Sequence, residues 1–214
     1  MHASDLGPGL RRAFSLCSTK GFDFVHRTAA VTERDSTVSI TEDLLAEGEP
    51  EEEFNPGIAS RLPRKRVAAG VIFRDEDSRI LMVDPVYKPG LEIPGGIANE
   101  NESPLQACTR EVREELGIDP PIGDLLVVDW VPRHGVWPDG IMFVFDGGVL
   151  PPEQLGQVRL QADELSAIKY LTMDEITPNV RPAMARRLSA CLEALAAGRP
   201  LYLTFGRAPG GSPL

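Results

Sequence analysis

Residues 104 to 116 carry the sequence signals of a capped, amphipathic helix. Ser103 is a favourable N-cap, Pro104 suits the first helical position, and Gln106 completes a capping box with the serine. Gly117 follows as a helix terminator. At about 100° per residue, the apolar side chains form one stripe that must face a core. The cysteine in this stripe is therefore expected to pack rather than react; its members are Leu105, Cys108, Val112 and Leu116.

Three carboxylates lie beside this stripe. Glu111 and Glu115 are i, i+4 neighbours and Glu114 lies next to them, within roughly a third of the helix circumference. Like charges at this spacing destabilise a helix and raise one another's pKa, so the arrangement favours a hard divalent cation among them. The alternative interpretation is an ordinary solvated helix face, because Glu and Arg are common on helix surfaces.

The flanking sequence predicts a sheet and a second long helix. Apolar runs at 67–73 and 79–83 flank a polar turn and indicate a hairpin, and Pro94-Gly95-Gly96 predicts a tight turn before the first helix. A final helix is predicted at 180–197, and further strands are predicted at 125–131, 141–145 and 168–171. This order favours an α/β fold in which a mixed central sheet is sandwiched between helices.

The composition and periodicity of the sequence divide the chain into three parts. Residues 1–62 have weak periodicity and an acidic stretch, Glu42 to Phe54, so an extended or disordered segment is expected. Residues 63–198 contain the predicted strands and helices and are expected to form one domain. Residues 199–214 are expected to be a C-terminal tail.

The composition excludes several classes of protein. The net charge of -10 argues against binding to a nucleic-acid polymer, which needs a basic face, and an acidic protein acting on phosphates needs a metal ion. The three cysteines form no CxxC pair, which indicates neither a disulfide framework nor a zinc site. Because the sequence shows neither a signal peptide nor a membrane span, we expect a cytoplasmic protein without a membrane partner.

One motif connects the turn to the helix. Reading from Gly96, five residues precede Glu102, and seven more precede Arg110-Glu111-Val112-Arg113-Glu114-Glu115-Leu116-Gly117-Ile118. This spacing matches every position of the Nudix box, GX5EX7REUXEEXGU, where U is a bulky apolar residue. The chain therefore resembles the Nudix hydrolases, and the resemblance implies a Nudix-like α/β/α sandwich over 63–198.

The resemblance also implies roles for the residues of the box. Glu111, Glu114 and Glu115 are expected to bind Mg²⁺, with Mn²⁺ as an alternative ion, and the Gly96 carbonyl is a further candidate ligand. Arg110 is expected to pair with Glu102 and hold the helix against its loop. Arg113 is interpreted as a surface charge.

In similar enzymes the general base is either a box glutamate, for which Glu114 is the candidate here, or a glutamate from a later loop. Glu164 is the loop candidate because it lies just before the strand at 168–171, although a solvated loop carboxylate is the alternative interpretation.

The loop from Pro132 to Gly140 is the expected source of substrate specificity. Trp137 is a candidate to stack on a base and His134 to contact phosphate; the alternatives are packing over the core for Trp137 and solvation for His134. The expected activity is hydrolysis of the diphosphate bond in a nucleoside diphosphate linked to another moiety, such as ADP-ribose, or in a nucleoside triphosphate. A catalytically silent nucleotide-sensing module and a metal-dependent isomerase are the alternatives. A homodimer is compatible with the sequence.

Overall fold

The computed structural model describes residues 44–49 and 52–209. The chain divides after Ser60 into two units, and the second contains a seven-stranded sheet. The strands are β1 Arg66–Arg74, β2 Ile80–Pro85, β3 Gly95–Ile97, β4 Leu125–Val131, β5 Gly140–Val149, β6 Leu165–Leu171 and β7 Leu201–Thr204. The helices are α1 Ile58–Arg61, α2 Pro104–Leu116, α3 Pro152–Leu155, α4 Met173–Ile176 and α5 Pro182–Ala197, with a 3-10 turn at Thr177–Asn179. Within the described ranges no helix is long and apolar enough to cross a membrane.

The sheet is mixed and has the strand order β6-β2-β1-β5-β4-β7, with β3 also paired to β1. The pairs β1–β5 and β4–β7 are parallel, and the others are antiparallel. β2 meets β1 only where Arg74 pairs with Ile80, and β3 pairs with the beginning of β1. The separation of β2 from β1 leaves room for the segment that carries Gly95 and Gly96 into the sheet.

Side chains of the strands point alternately to the two faces of the sheet, and one long helix packs against each face. Val71 and Phe73 of β1 are buried in the core beneath α2, whereas Ile72 is buried in the core beneath α5. Successive strand side chains point to opposite faces, so two apolar layers form from the same strands. This arrangement confirms the predicted α/β sandwich with a mixed central sheet.

Helix α2 has the predicted bounds and the predicted caps. The Ser103 side chain accepts a hydrogen bond from the Gln106 amide, the Gln106 side chain accepts one from the Ser103 amide, and Gly117 ends the helix at φ 66°. The predicted buried stripe was wrong at Leu105, which is 43% exposed, while Ala107 is buried instead. Helical side chains lean toward the N-terminus, so a residue in the first turn covers the helix end rather than the sheet.

Two short strands were not predicted. Gly95–Ile97 forms β3 rather than only a turn, and Leu201–Thr204, placed in the expected C-terminal tail, forms β7 beside β4. The expected disordered segment falls mostly outside the described residues; within its described part, α1 forms one turn with no buried residue. The last helix begins at Pro182, close to the predicted start at 180.

A buried ion pair joins β4, α5 and the residues after β7. The Arg187 Nε donates to Asp129 Oδ2 at 2.8 Å, and the Gly206 amide donates to Asp129 Oδ1 at 3.0 Å. Asp129 is fully buried and Arg187 is 6% exposed. Because both carboxylate oxygens have donors, the buried charge is compensated on both sides.

Candidate active site

Arg110 is the centre of the polar cluster on α2. Its Nε and Nη2 donate to the two carboxylate oxygens of Glu102 at 2.8 and 3.0 Å, as a bidentate pair. Nη1 donates to Glu111 Oε1 at 2.8 Å and Glu114 Oε2 at 2.9 Å, and Nη2 also donates to the Ile97 carbonyl at 3.1 Å. The five N–H groups of the guanidinium thus match five protein acceptors. The predicted Arg110–Glu102 pair is present.

Glu102 fixes the loop that leads into α2. In addition to Arg110, it accepts a hydrogen bond from the Asn99 amide at 2.8 Å. The hydrogen bond from Arg110, followed by that from Asn99, lowers the pKa of Glu102. Glu102 therefore remains ionised and links the loop after β3 to the middle of the helix through Arg110.

Glu111 lies directly against the backbone of Gly96. A Cβ built on Gly96 would be 2.3 Å from Glu111 Oε1 and 2.4 Å from Cδ, so a side chain at this position would displace the carboxylate. Burial raises the pKa of Glu111, and the hydrogen bond from Arg110 opposes the rise. Gly96 therefore contributes to the site because it has no side chain and so leaves space for the Glu111 carboxylate.

Glu115 is the most buried carboxylate of the cluster. It is 8% exposed, and its Oε2 accepts a hydrogen bond from the Gly95 amide at 2.9 Å. The pKa of Glu115 is raised to about 8, chiefly by burial; the charges of Glu111 and Glu164 contribute to the rise, and the hydrogen bond from the Gly95 amide opposes it. In the described part of the chain, no Lys or Arg side chain forms an ion pair with Glu115. Ionised Glu115 is thus a buried charge without a bonded cation.

Glu164 is brought close to this cluster by the C-terminal end of α2. The Arg159 amide donates to the Leu116 carbonyl at 2.8 Å and the Gln161 amide to the Glu115 carbonyl at 3.3 Å, so segment 159–161 caps the helix. Glu164 lies three residues after Gln161. Its charge raises the pKa of both Glu111 and Glu115. The candidate base is therefore near the carboxylates.

The loop 132–139 presents Trp137 and His134 at one end of the sheet. Their backbones exchange two hydrogen bonds of 3.1 Å across a two-residue turn, and Trp137 is 52% exposed. The guanidinium of Arg66 lies 5.1 Å from the Trp137 ring centroid. Arg66 precedes Ala69, the partner of Gly96, by three residues. Among the described residues, no hydrogen bond joins Trp137 or His134 to the carboxylates of α2.

Arg66 was not predicted from the sequence, although its signal is visible as the basic run 64–66 before β1. Its contact with Trp137 depends on the parallel pairing of Arg66 with Gly140, which brings the loop before β5 beside the start of β1. Arg113, in contrast, pairs with Asp119 at 2.7 Å on the surface, as predicted for an unspecified box position.

The cluster suits a divalent cation in its chemistry. Glu111 and Glu114 converge on one nitrogen of Arg110, and Glu115 lies one turn from Glu111 on the buried side of the helix. Across residues 44–49 and 52–209, no three Asp, Glu, His or Cys side chains already stand at metal-ligand spacing. Arg110 is bonded to both Glu111 and Glu114 in this arrangement. Oxygen ligands and raised pKa values nevertheless fit a hard cation, which would stabilise the ionised forms.

Comparisons with known proteins identify one family. Residues 64–191 match the NUDIX domain model. A MutT-like protein of Streptomyces ambofaciens is 30% identical over 150 residues, which cover 70% of this chain and 88% of that protein. An RNA pyrophosphohydrolase of Hydrogenovibrio crunogenus is 31% identical over 77 residues, 32% of this chain and 46% of that protein. The crystal structure of the MutT protein of Methanosarcina mazei Go1 covers 64% of this chain and 98% of its own, with 22% identity and a TM-score of 0.51.

The chain belongs to the Nudix hydrolase family, since the family match covers more than half of its length and includes the whole box from Gly96 to Ile118. It is a hydrolase of the Nudix type. Members of this family generally use divalent metal ions.

Proposed function

We propose that this protein is a divalent-metal-dependent pyrophosphohydrolase that cleaves the diphosphate bond of a nucleoside diphosphate linked to another moiety. The observation that carries the proposal is Glu115, a buried carboxylate that accepts a hydrogen bond from the Gly95 amide but forms no ion pair within the described ranges. A buried ionised group of this kind is costly without a cation. A metal ion shared with an anionic substrate would supply that cation.

Mg²⁺, with Mn²⁺ as an alternative, would neutralise charge on the diphosphate when bound. Glu111, Glu114 and Glu115 would hold the ion, and the Gly96 carbonyl is a further candidate ligand. Arg110 orients two of these glutamates and is held in turn by Glu102.

Two carboxylates of the chain are candidates to accept the proton of the attacking water. Glu164 would accept this proton as water attacks a phosphorus atom in line with the leaving phosphate, since its charge already acts on the cluster. Glu114, which is half-exposed and bonded only to Arg110 among the described residues, is the other candidate base.

Trp137 and His134 would contribute to substrate binding. One face of the Trp137 ring is covered by Arg66, and the side chain is still 52% exposed, which suits stacking of a nucleobase. His134 is exposed beside it and would contact a phosphate in its protonated form. A small nucleotide fits this chain better than a polymer because its net charge is -10.

A substrate panel tests the proposal. The purified protein is incubated with ADP-ribose, dinucleoside polyphosphates, ordinary and oxidised nucleoside triphosphates, and a 5′-triphosphorylated RNA, with Mg²⁺, Mn²⁺ or EDTA. Metal-dependent release of a nucleoside monophosphate from a small nucleotide is the expected result. Tight nucleotide binding without turnover would instead favour a nucleotide-sensing module, and preference for the RNA would overturn the small-substrate assignment.

Gly96→Ala is expected to lower kcat/KM by about 10²-fold on the substrate found by this panel, because a new Cβ would displace the Glu111 carboxylate. The free energy of unfolding should change by less than about 1 kcal/mol, since a flexible side chain can move away and Gly96 does not have positive φ. Kinetics and urea denaturation separate the two effects. Full activity in Gly96→Ala would contradict the placement of Glu111.

The stability of the metal-free protein is expected to fall as pH rises. Burial raises the pKa of Glu115 to about 8 from an ordinary value of 4.5, so the folded state binds more protons than the unfolded state between these values. The free energy of unfolding should therefore decrease across this window, by at most about 1.4 kcal/mol per pH unit from this group. Thermal unfolding in EDTA at pH 5.5 and 8.5 measures the effect.

Mg²⁺ provides the control for this pH dependence. Because the ion binds the ionised carboxylates, it should raise Tm more at pH 8.5 than at pH 5.5. The metal-free Glu115→Gln protein should show a flatter dependence than the wild type. Equal slopes in the two proteins would contradict the role of Glu115.

A further inference from the structure

Arg110 has no N–H group left for a substrate. All five of its donors are directed to Glu102, Glu111, Glu114 and the Ile97 carbonyl. A diphosphate carries negative charge on both phosphates, and the site that would receive it is itself rich in carboxylates. A protein cation with unused donors close to this cluster would lower the repulsion.

The loop between β2 and β3 lies beside the cluster. Its start is fixed by the Val86 amide, which donates to the carbonyl of Glu164 at 2.9 Å. Its end is fixed by the Leu91 amide, which donates to the Asn179 carbonyl at 2.9 Å, and by the paired backbones of Glu92 and Val83. The loop is thus held at its start by the backbone of Glu164 and at its end by the backbones of Val83 and Asn179, just before the segment that leads to Gly95.

Lys88 lies in the middle of this loop. Its Nζ is 2.9 Å from Glu92 Oε1, and its side chain is 37% exposed. An ammonium group has three donors, and within the described ranges Glu92 is its carboxylate partner, so donors remain for a ligand. Lys88 lies two residues after Val86, whose amide is bonded to the Glu164 carbonyl, and the Gln161 amide of the same segment is bonded to the Glu115 carbonyl. In agreement with this placement, the Lys88 charge lowers the pKa of Glu115.

The ring of the neighbouring tyrosine lies beside this ammonium. Tyr87 is 68% exposed, and its ring centroid is 5.5 Å from the Lys88 Nζ. The ring provides an apolar surface beside the cation without a hydrogen bond that would use its donors. Lys88 therefore combines a fixed loop, free donors and proximity to the carboxylates.

We propose that Lys88 binds a non-bridging oxygen of the diphosphate and so acts as a substrate-binding residue of this site. The inference rests on the proposed pyrophosphohydrolase function and adds a protein cation to it. The competing explanation is purely structural: Lys88 would only hold the loop through its ion pair with Glu92. The two explanations differ in what removal of Glu92 does.

Three variants distinguish them: Lys88→Gln, Lys88→Arg and Glu92→Gln. The probe is methylenediphosphonate, a diphosphate analogue that is not hydrolysed, titrated by calorimetry in excess Mg²⁺. Lys88→Gln should weaken binding by about 10-fold or more, because a charge-assisted hydrogen bond is lost. Lys88→Arg should bind within about threefold of the wild type. Glu92→Gln should bind as tightly as the wild type or more tightly, because it frees a donor on Lys88.

Kinetics on the panel substrate give a second readout. Lys88→Gln should raise KM with a smaller effect on kcat if Lys88 contacts the diphosphate in the ground state. Thermal unfolding of each variant verifies folding. If Glu92→Gln weakens probe binding as much as Lys88→Gln, the role is structural and the proposal is overturned.

The result for the wild type separates this inference from the function on which it rests. Wild-type protein that hydrolyses a panel substrate while Lys88→Gln binds the probe normally would overturn the Lys88 assignment alone. Wild-type protein that neither binds the probe nor hydrolyses any substrate would overturn both.

Discussion

Glu115→Gln is expected to lower kcat/KM by about 10³-fold in Mg²⁺, the largest activity loss among single box substitutions. The amide keeps the size of the side chain and can accept the hydrogen bond of the Gly95 amide, but it removes the charge that would bind the metal ion. The measurement is steady-state kinetics on the panel substrate, with Mg²⁺ varied to separate metal affinity from turnover.

The same substitution should make the metal-free protein more stable. Ionised Glu115 is buried without an ion pair in the described structure, so replacing it with a neutral amide removes a desolvated charge. At pH 8.5 in EDTA, the Tm of Glu115→Gln should exceed that of the wild type. Glu193→Gln is the matched control, because this residue is exposed on α5, and it should change neither quantity. Loss of activity together with loss of stability would indicate misfolding instead.

Gly95→Ala is expected to reduce the free energy of unfolding by about 3 kcal/mol or more. Gly95 has φ 141°, a region that side chains disfavour, and an added Cβ would lie 2.2 Å from the Ala69 carbonyl oxygen and 2.5 Å from the Gly70 Cα. Both contacts are backbone atoms of the central strand β1, so they cannot move without disturbing the sheet. Urea denaturation measures the change.

Gly148→Ala provides the control for this prediction. Gly148 also has positive φ, at 69°, but among the described residues nothing lies within 4 Å of the position that an added Cβ would take. Backbone strain alone should cost about 1 kcal/mol there. If the two alanine variants are equally destabilised, the close approach of Gly95 to β1 is not the cause.

The elements with local signals were predictable from the sequence. Ser103, Gln106 and Gly117 set both ends of α2 through contacts within a few residues, and the helix has the predicted bounds. The resemblance to the Nudix box also implied the Arg110–Glu102 pair, which the structure contains. Contacts between residues close together in the sequence were sufficient to predict both ends of α2.

The remaining features depend on contacts between distant residues. β7 has four residues and exists through pairing with β4, about 70 positions earlier, and no periodicity in so short a segment indicates a strand. The nearness of Glu164 to the cluster depends on hydrogen bonds of segment 159–161 to the end of α2. Lys88 belongs to no sequence motif. Its position beside the site follows from the hydrogen bonds that anchor its loop. The spacing of residues along the sequence does not indicate which distant segments pair.

The buried Asp129–Arg187 pair determines how short this protein can be made. The family match ends at residue 191, but the Gly206 amide supplies one of the two donors to Asp129, and the Phe205 amide donates to the Trp130 carbonyl at 2.8 Å. A chain cut after residue 198 would keep α5 and every box residue yet expose an edge of β4 and leave one oxygen of a buried carboxylate without its amide. We therefore expect a stable catalytic fragment to extend at least to Gly206, beyond residue 191 where the family match ends.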